Sequence, residues 1–212
     1  MPLSIQELLN LKELPSEEEL SLQILAEFYE QLLCNRIFHY KVRHKVGEIK
    51  LHFKTSDLPH LLGIHKIKTG STHRGKRGFP ALKSGNLTLL DLKRANEGNY
   101  VRIIYRILHF PFINQLMYDP EAIIFRPDLA QSTIDAEFMF YNTYSGRVLH
   151  LGIKRETSTD LYIPVTFLER KNPYSNMTKV LIDKIQVYTE GQNLELINSP
   201  TLADNIQIKR GL

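Results

Sequence analysis

The spacing of apolar residues changes period along this chain, and the changes mark out its elements. Leu22, Leu25, Phe28 or Tyr29, and Leu32 recur at helical spacing. Ser16 followed by Glu19, with Pro15 just outside, predicts a capping box at the start of that helix. Two alternating runs come next. Phe38, Tyr40 and Val42 interleave with His39, Lys41 and Arg43, and Ile49, Leu51 and Phe53 interleave with Lys50 and His52. Period two across a connection containing Gly47 predicts a β-hairpin with one apolar and one basic face. A short helix is expected from near Ser56 to Gly63, with Pro59 tolerated in its first turn. Residues 66 to 86 have no period and read as a loop. Thr88 and Asp91 mark another helix start, and Tyr100, Ile103, Ile104, Ile107 and Leu108 define a helix ending before Pro111.

After Pro120 the pattern becomes that of strands. Ile134, Ala136, Phe138 and Phe140 alternate, as do Leu149, Leu151 and Ile153, and Leu161, Ile163, Val165 and Phe167. Turn residues separate these runs at Asn142 to Gly146 and at Glu156 to Asp160, and Val180 to Tyr188 predicts one more strand. The expected architecture is α+β: N-terminal helices and a basic β-hairpin packed with a C-terminal antiparallel meander. One domain over residues 1–197 is expected, with an acidic helical segment at 1–35 and a tail at 198–212 that carries no signal.

The hairpin from Arg147 to Leu168 supports a finer expectation. If its apolar residues share one core, Val148, His150 and Lys154 lie on the other face with Tyr162, Pro164 and Thr166. Pairing Ile153 with Ile163 sets Lys154 opposite Tyr162 and His150 opposite Thr166, and a two-residue shift sets His150 opposite Pro164. Either register gathers His, Lys, Tyr and Thr on one sheet face. An exposed outer face without a specific task is the plainer alternative.

Charge changes the picture next. Between Lys41 and Arg77 stand ten Lys or Arg residues against Glu48 and Asp57, and six of the eight histidines fall nearby. The first thirty residues instead hold seven Glu against Lys12. A net charge of +4 conceals this asymmetry. Focused positive charge collects polyanions, phosphate backbones above all, although a solvated basic face has the same composition. Lone Cys34 excludes an internal disulfide, no apolar run reaches membrane-spanning length, and no secretory leader is visible, so a cytoplasmic protein is expected.

Several chemistries fail on spacing. Gly70 to Lys76 has most of a phosphate-binding loop, but Arg77 stands where Ser or Thr should meet magnesium. His60 and His65 are five apart, one too many for two ligands on one helix face, so no metal site is expected. No G-x-S-x-G elbow is present. What remains is RNA cleavage by its own 2′-hydroxyl, which needs one base, one acid and cations near phosphorus.

Three stretches, Leu51-His-Phe-Lys54, His60-Leu-Leu-Gly-Ile-His-Lys-Ile67 and Ile163-Pro-Val-Thr-Phe-Leu168, resemble the phage-associated nuclease group related to barnase, EndoU, colicin and RelE toxins. The branch is one associated with mobile elements of Gram-positive bacteria, and the likeness extends over roughly residues 20 to 190 in the order of elements. The resemblance implies N-terminal helices on an antiparallel sheet and metal-independent RNA cleavage without a cofactor. It places His60, His65 and Lys66 in the site with Thr166 on a strand facing them; Lys154 and His150 join by the hairpin geometry. The expectation is a metal-independent endoribonuclease with His60 and His65 as acid and base. Lys66 and Lys154 would stabilise charge on phosphorus, and Thr166 would bind a phosphate oxygen. Lys41, Arg43, Lys50, Lys68, Arg74, Lys76 and Arg77 would guide the backbone, with His150 and Tyr162 on the sheet face. RNA is the expected partner, with an antitoxin or immunity protein as a second. The alternative is a non-catalytic nucleic-acid-binding or inhibitor protein of a phage or mobile element.

Overall fold

The computed structural model describes residues 2–67 and 77–189. Helix α1 (Ile5–Leu9) is closed by Ser4 and Glu7, a capping box that the apolar pattern did not mark. The Ser16–Glu19 box does form, with the Ser16 amide donating to the Glu19 carboxylate at 2.8 Å. It opens only a three-residue 3-10 turn, because Leu20 is extended. Helix α2 (Leu22–Leu32) starts five residues later than that box predicted, at Ser21, whose hydroxyl accepts the Ile24 amide. It buries Leu22, Leu25, Ala26, Phe28 and Tyr29.

Helix α3 (Leu58–Leu61) follows Asp57 directly and has no side-chain cap; the Asp57 carboxylate instead accepts the Lys54 amide at 2.9 Å and closes the 3-10 turn Thr55–Asp57, where a cap near Ser56 was expected. Helix α4 (Gly78–Lys83) occupies part of the segment that reads as loop. Helix α5 (Leu89–Ala95) carries the Thr88–Asp91 box as expected. Helix α6 (Glu97–His109) buries all five residues of its predicted stripe. A 3-10 turn through Pro111 leads into α7 (Ile113–Tyr118), and α8 (Pro127–Ala130) is a single exposed turn.

The strands are β1 (Arg36–Val42), β2 (Glu48–His52), β3 (Glu121–Ile124), β4 (Phe138–Tyr144), β5 (Arg147–Arg155), β6 (Tyr162–Arg170), β7 (Lys179–Val180) and β8 (Ile182–Thr189). They form one sheet in the order β7-β3-β4-β5-β6-β2-β1-β8. The predicted hairpin is therefore not a separate layer but part of the sheet. It joins the meander edge to edge through a single parallel pair, Leu51 with Tyr162. The predicted strand at 180–188 is interrupted at Leu181 and serves both ends of the sheet. β7 pairs with β3 and β8 pairs with β1, so one short segment nearly closes the sheet.

Helices fill the concave side. Phe38, Tyr40, Leu51, Phe140, Leu151, Ile153 and Phe167 share one apolar cluster with Leu25, Phe28, Ile103, Ile107 and Phe110. The Tyr40 hydroxyl, fully buried there, donates to the Met117 carbonyl at 2.9 Å, as a buried phenol requires. A second, smaller cluster of Ile123, Phe125, Ala136, Met139, Tyr141, Val148 and Met177 covers the other face of β3–β5.

The β5–β6 register matches neither expected pairing. Gly152 opposes Thr166 and His150 opposes Leu168, but a bulge then shifts the pairing so that Ile153 opposes Pro164 and Lys154 opposes Ile163. An extra residue in one strand reverses which side chains face inward. Tyr162 and Phe167 both enter the core, whereas Val165 packs on the opposite face. Gly152 makes the crossing feasible, since a Cβ there would meet Thr166 Cγ2 at 2.8 Å and Ala136 Cβ at 3.2 Å. Gly152→Ala is expected to cost about 1–3 kcal/mol in urea unfolding, and Thr166→Ser in the same chain to recover part of it. Full stability of Gly152→Ala alone would show that Thr166 gives way freely.

Candidate active site

The site is built on the turn after α3. The Gly63 amide donates to the His60 carbonyl at 2.9 Å, and the Lys66 amide to the Gly63 carbonyl at 3.0 Å. These two bonds fix His60, Gly63 and Lys66 as successive corners of one tight path. Gly63 lies in the left-handed region at φ 78°, which disfavours any side chain. The path brings His60 and His65 face to face, with ring centroids 4.3 Å apart and planes 15° from parallel. Both histidines are exposed. Asn99 at the start of α6 donates its side-chain amide to the Lys66 carbonyl at 2.7 Å and pins the far end.

His60 also closes the edge of the sheet. β6 has a strand neighbour on its β2 side only at Tyr162, and its bulge falls at Val165. His60 Nε2 lies 3.0 Å from the Val165 carbonyl oxygen. A ring N–H must donate to that carbonyl, which leaves Nδ1 as the acceptor nitrogen of a neutral ring. The turn and the strand segment that carries Thr166 thus meet directly.

Next to this pair stands a residue that sequence reasoning missed. The guanidinium of Arg106 lies over Gly63, with Nη1 only 3.2 Å from where a Cβ would be. Burial lowers the Arg106 pKa, and the charge of Glu169 partly opposes the shift. The Lys66 pKa is lowered as well, first by loss of water around its ammonium and then by the Arg106 charge. Glu169 itself leans on Arg147, with 3.7 Å between Oε2 and Nε. A signal for Arg106 exists in the pattern: it falls three residues after Ile103 and three before His109, on the rim of the α6 apolar stripe.

The remaining predicted residues lie elsewhere. His150 does not face an open groove; it is fully buried between Tyr141, with which it stacks, and Tyr174. Tyr162 is turned into the core by the bulge, 1% exposed, so the gathered polar face does not exist. Lys154 pairs with Asp135 at 2.7 Å. The Thr166 methyl lies over Gly152. On the hairpin, Lys50 and His39 share the Glu48 carboxylate at 2.7 and 2.8 Å, and Arg43 pairs with Asp183 at 2.7 Å. Such surface pairs add little stability, but they cancel local charge. Lys41 is exposed on β1. Arg77 borders α4, while Lys68, Arg74 and Lys76 lie outside the described residues. Among the described residues, no cluster of three or more His, Cys, Asp or Glu is arranged to hold a metal ion, and no helix is long and apolar enough to cross a membrane.

A fold of helices held in a mostly antiparallel sheet, with histidines and cations at a strand edge, suits phosphodiester chemistry. The chain belongs to the phage-Barnase-EndoU-ColicinE5/D-RelE like nuclease4 family, whose model matches residues 21–199. No curated protein and no solved structure matches it.

Buried His150 makes stability depend on pH. Loss of solvent, with a smaller contribution from the Arg170 charge, lowers its pKa to about 4. The unfolded chain binds this proton near pH 6.5, so the unfolded state holds more protons between those values, and stability falls as pH drops through that window. The full drop amounts to about 3 kcal/mol. His109, whose pKa burial also lowers, acts in the same direction. Urea unfolding between pH 6.5 and 5, above the ordinary carboxylate range, is expected to show this slope. His150→Phe should flatten it, and an unchanged slope would place the effect elsewhere.

Proposed function

We propose that this nuclease is a metal-independent endoribonuclease in which His60 and His65 form the acid–base pair. The observation that supports this most is their stacking at 4.3 Å on a turn held against β6. Two positive rings this close would repel, so the form carrying one proton offers one acid and one base together. The base takes the proton of the 2′-hydroxyl as its oxygen attacks phosphorus. The bond from phosphorus to the 5′ oxygen breaks, and the acid gives that oxygen its proton. The products are a 2′,3′-cyclic phosphate and a 5′-hydroxyl.

His60, oriented through Nε2 by the Val165 carbonyl, presents Nδ1 for the transfer. Lys66, backbone-pinned by Asn99, faces the developing charge on the phosphate oxygens. Arg77 and the neighbouring Lys68, Arg74 and Lys76, with exposed Lys41, supply the electrostatic guide for the strand, a task for which Arg43 and Lys50 are less suited because they are paired. A role in conflict between a phage or mobile element and its host, with an antitoxin or immunity protein as partner, follows from the phage association of the family.

Incubation with RNA in EDTA tests the mechanism. Undiminished cleavage leaving cyclic phosphate ends, with no cutting of DNA, is expected; loss of cleavage in EDTA would sink it. His60→Gln keeps an N–H for the Val165 carbonyl but cannot titrate. It should retain the melting temperature and lose ~10²-fold or more in rate, as should His65→Ala. Binding without scission by the unmodified protein would instead favour the non-catalytic alternative.

A further inference from the structure

Arg106 and Lys66 make an arrangement that the protein alone leaves incomplete. The Arg106 guanidinium lies against Gly63, in the turn that leads to Lys66, and the Lys66 pKa is lowered first by loss of water and then by the Arg106 charge. Among the described residues, Arg106 has no hydrogen-bond or ion-pair partner. Its one acidic neighbour in electrostatic range, Glu169, is shared with Arg147 and, at longer range, with His109. Glu169 Oε2 is buried without a hydrogen bond and leans on Arg147, so Glu169 acts on Arg106 through its charge and not through a direct bond.

A partly desolvated guanidinium beside a second cation, with no anion between them, is a costly state. Charged groups removed from water are ordinarily paired. Water reaches both groups in the free protein, since Arg106 is half-buried, Lys66 is exposed and no Arg106 nitrogen is buried without a partner, and an anion of matching shape would take the place of that water. The chemistry of that anion can be read from the donors. A planar fork of N–H groups together with an ammonium point charge suits a tetrahedral oxyanion with several oxygens better than a single carboxylate. Gly63 allows the guanidinium to lie flat against the turn, since any side chain there would displace it. The location also matters, because the turn that Arg106 covers is the one presenting the His60 and His65 rings.

We infer that Arg106 and Lys66 form a phosphate-binding site, with Gly63 as its floor, that holds the phosphodiester beside the two histidines. The identification of the phosphate as the scissile one rests on the proposed function; the anion site stands on the unpaired cations alone. Arg106 supplies two donors to non-bridging oxygens and Lys66 a third. Asn99 is a positioning residue, because it touches only the Lys66 backbone.

The test uses the full chain and inorganic phosphate at millimolar concentration, with chloride at matched ionic strength as the control. Phosphate should raise the melting temperature of the unmodified protein above the chloride control, as any ligand of the folded state does. Arg106→Gln and Lys66→Gln should each weaken phosphate binding about tenfold or more, as loss of a charge-assisted bond does. Arg106→Lys, which keeps the charge and loses the fork, should be intermediate. If Arg106→Gln fails to unfold cooperatively, Arg106→Lys and Lys66→Gln decide the matter. No phosphate effect on the unmodified protein, or full effects in these variants, would overturn the site. His60→Gln should bind phosphate normally, so a protein that binds phosphate through Arg106 yet cuts no RNA would retain the anion site and lose the nuclease mechanism.

Discussion

Strand β6 carries a constraint on which the rest of the molecule depends. It is the one strand that must join two parts of the sheet, the meander on one side and the hairpin on the other, and toward the hairpin it has a single parallel pair, Leu51 with Tyr162. Beyond that pair its edge would leave backbone groups without partners, which is costly near a core. At the bulge, the His60 bond to the Val165 carbonyl satisfies one of those groups. That bond ties α3 to β6, and the turn that follows is carried to the sheet edge with it.

That arrangement explains why the candidate site is compact although its parts are distant in sequence. His60, Gly63, His65 and Lys66 belong to one turn, held by two backbone hydrogen bonds. Arg106 arrives from α6 because the predicted apolar stripe buries the helix against the same core. Thr166 is adjacent through the strand, not through a facing sheet surface. The chemistry proposed for RNA therefore rests on local geometry around α3, with the sheet as its support.

Much of this was legible beforehand. Alternation located β1, β2, β4, β5 and β6, and period 3.6 located α6 and the buried face of α2, since burial of one face is what those patterns record. The grouping of His60, His65 and Lys66 came from the family resemblance and not from their spacing, which is one residue too long for a single helix face. What was not read was the bulge: alternation gives the same faces until one extra residue reverses them, and Pro164, a residue that sheets admit only at edges, strand starts and bulges, was its one sign. The sheet face expected to gather His150, Tyr162, Lys154 and Thr166 was lost for that reason, and because Tyr174 returns over His150 from a loop without period. Charge counting also overlooked pairing on the hairpin, where Glu48 and Asp183 offset Lys50 and Arg43 while Lys41 stays exposed. Arg106 was hidden by its helix, where one arginine on the rim of an apolar stripe looks ordinary until its surroundings are known.

The segment that serves both ends of the sheet has a consequence for synthesis. β1 spans residues 36–42, yet its partner β8 spans 182–189, and β3 waits likewise for β7. A chain emerging from the ribosome would therefore hold two unpaired strand margins until nearly all described residues had been made. Contacts so distant in sequence form slowly. Seclusion of the incomplete sheet, by a chaperone or by rapid collapse of the helices into its concavity, would then govern yield more than the stability of the finished fold.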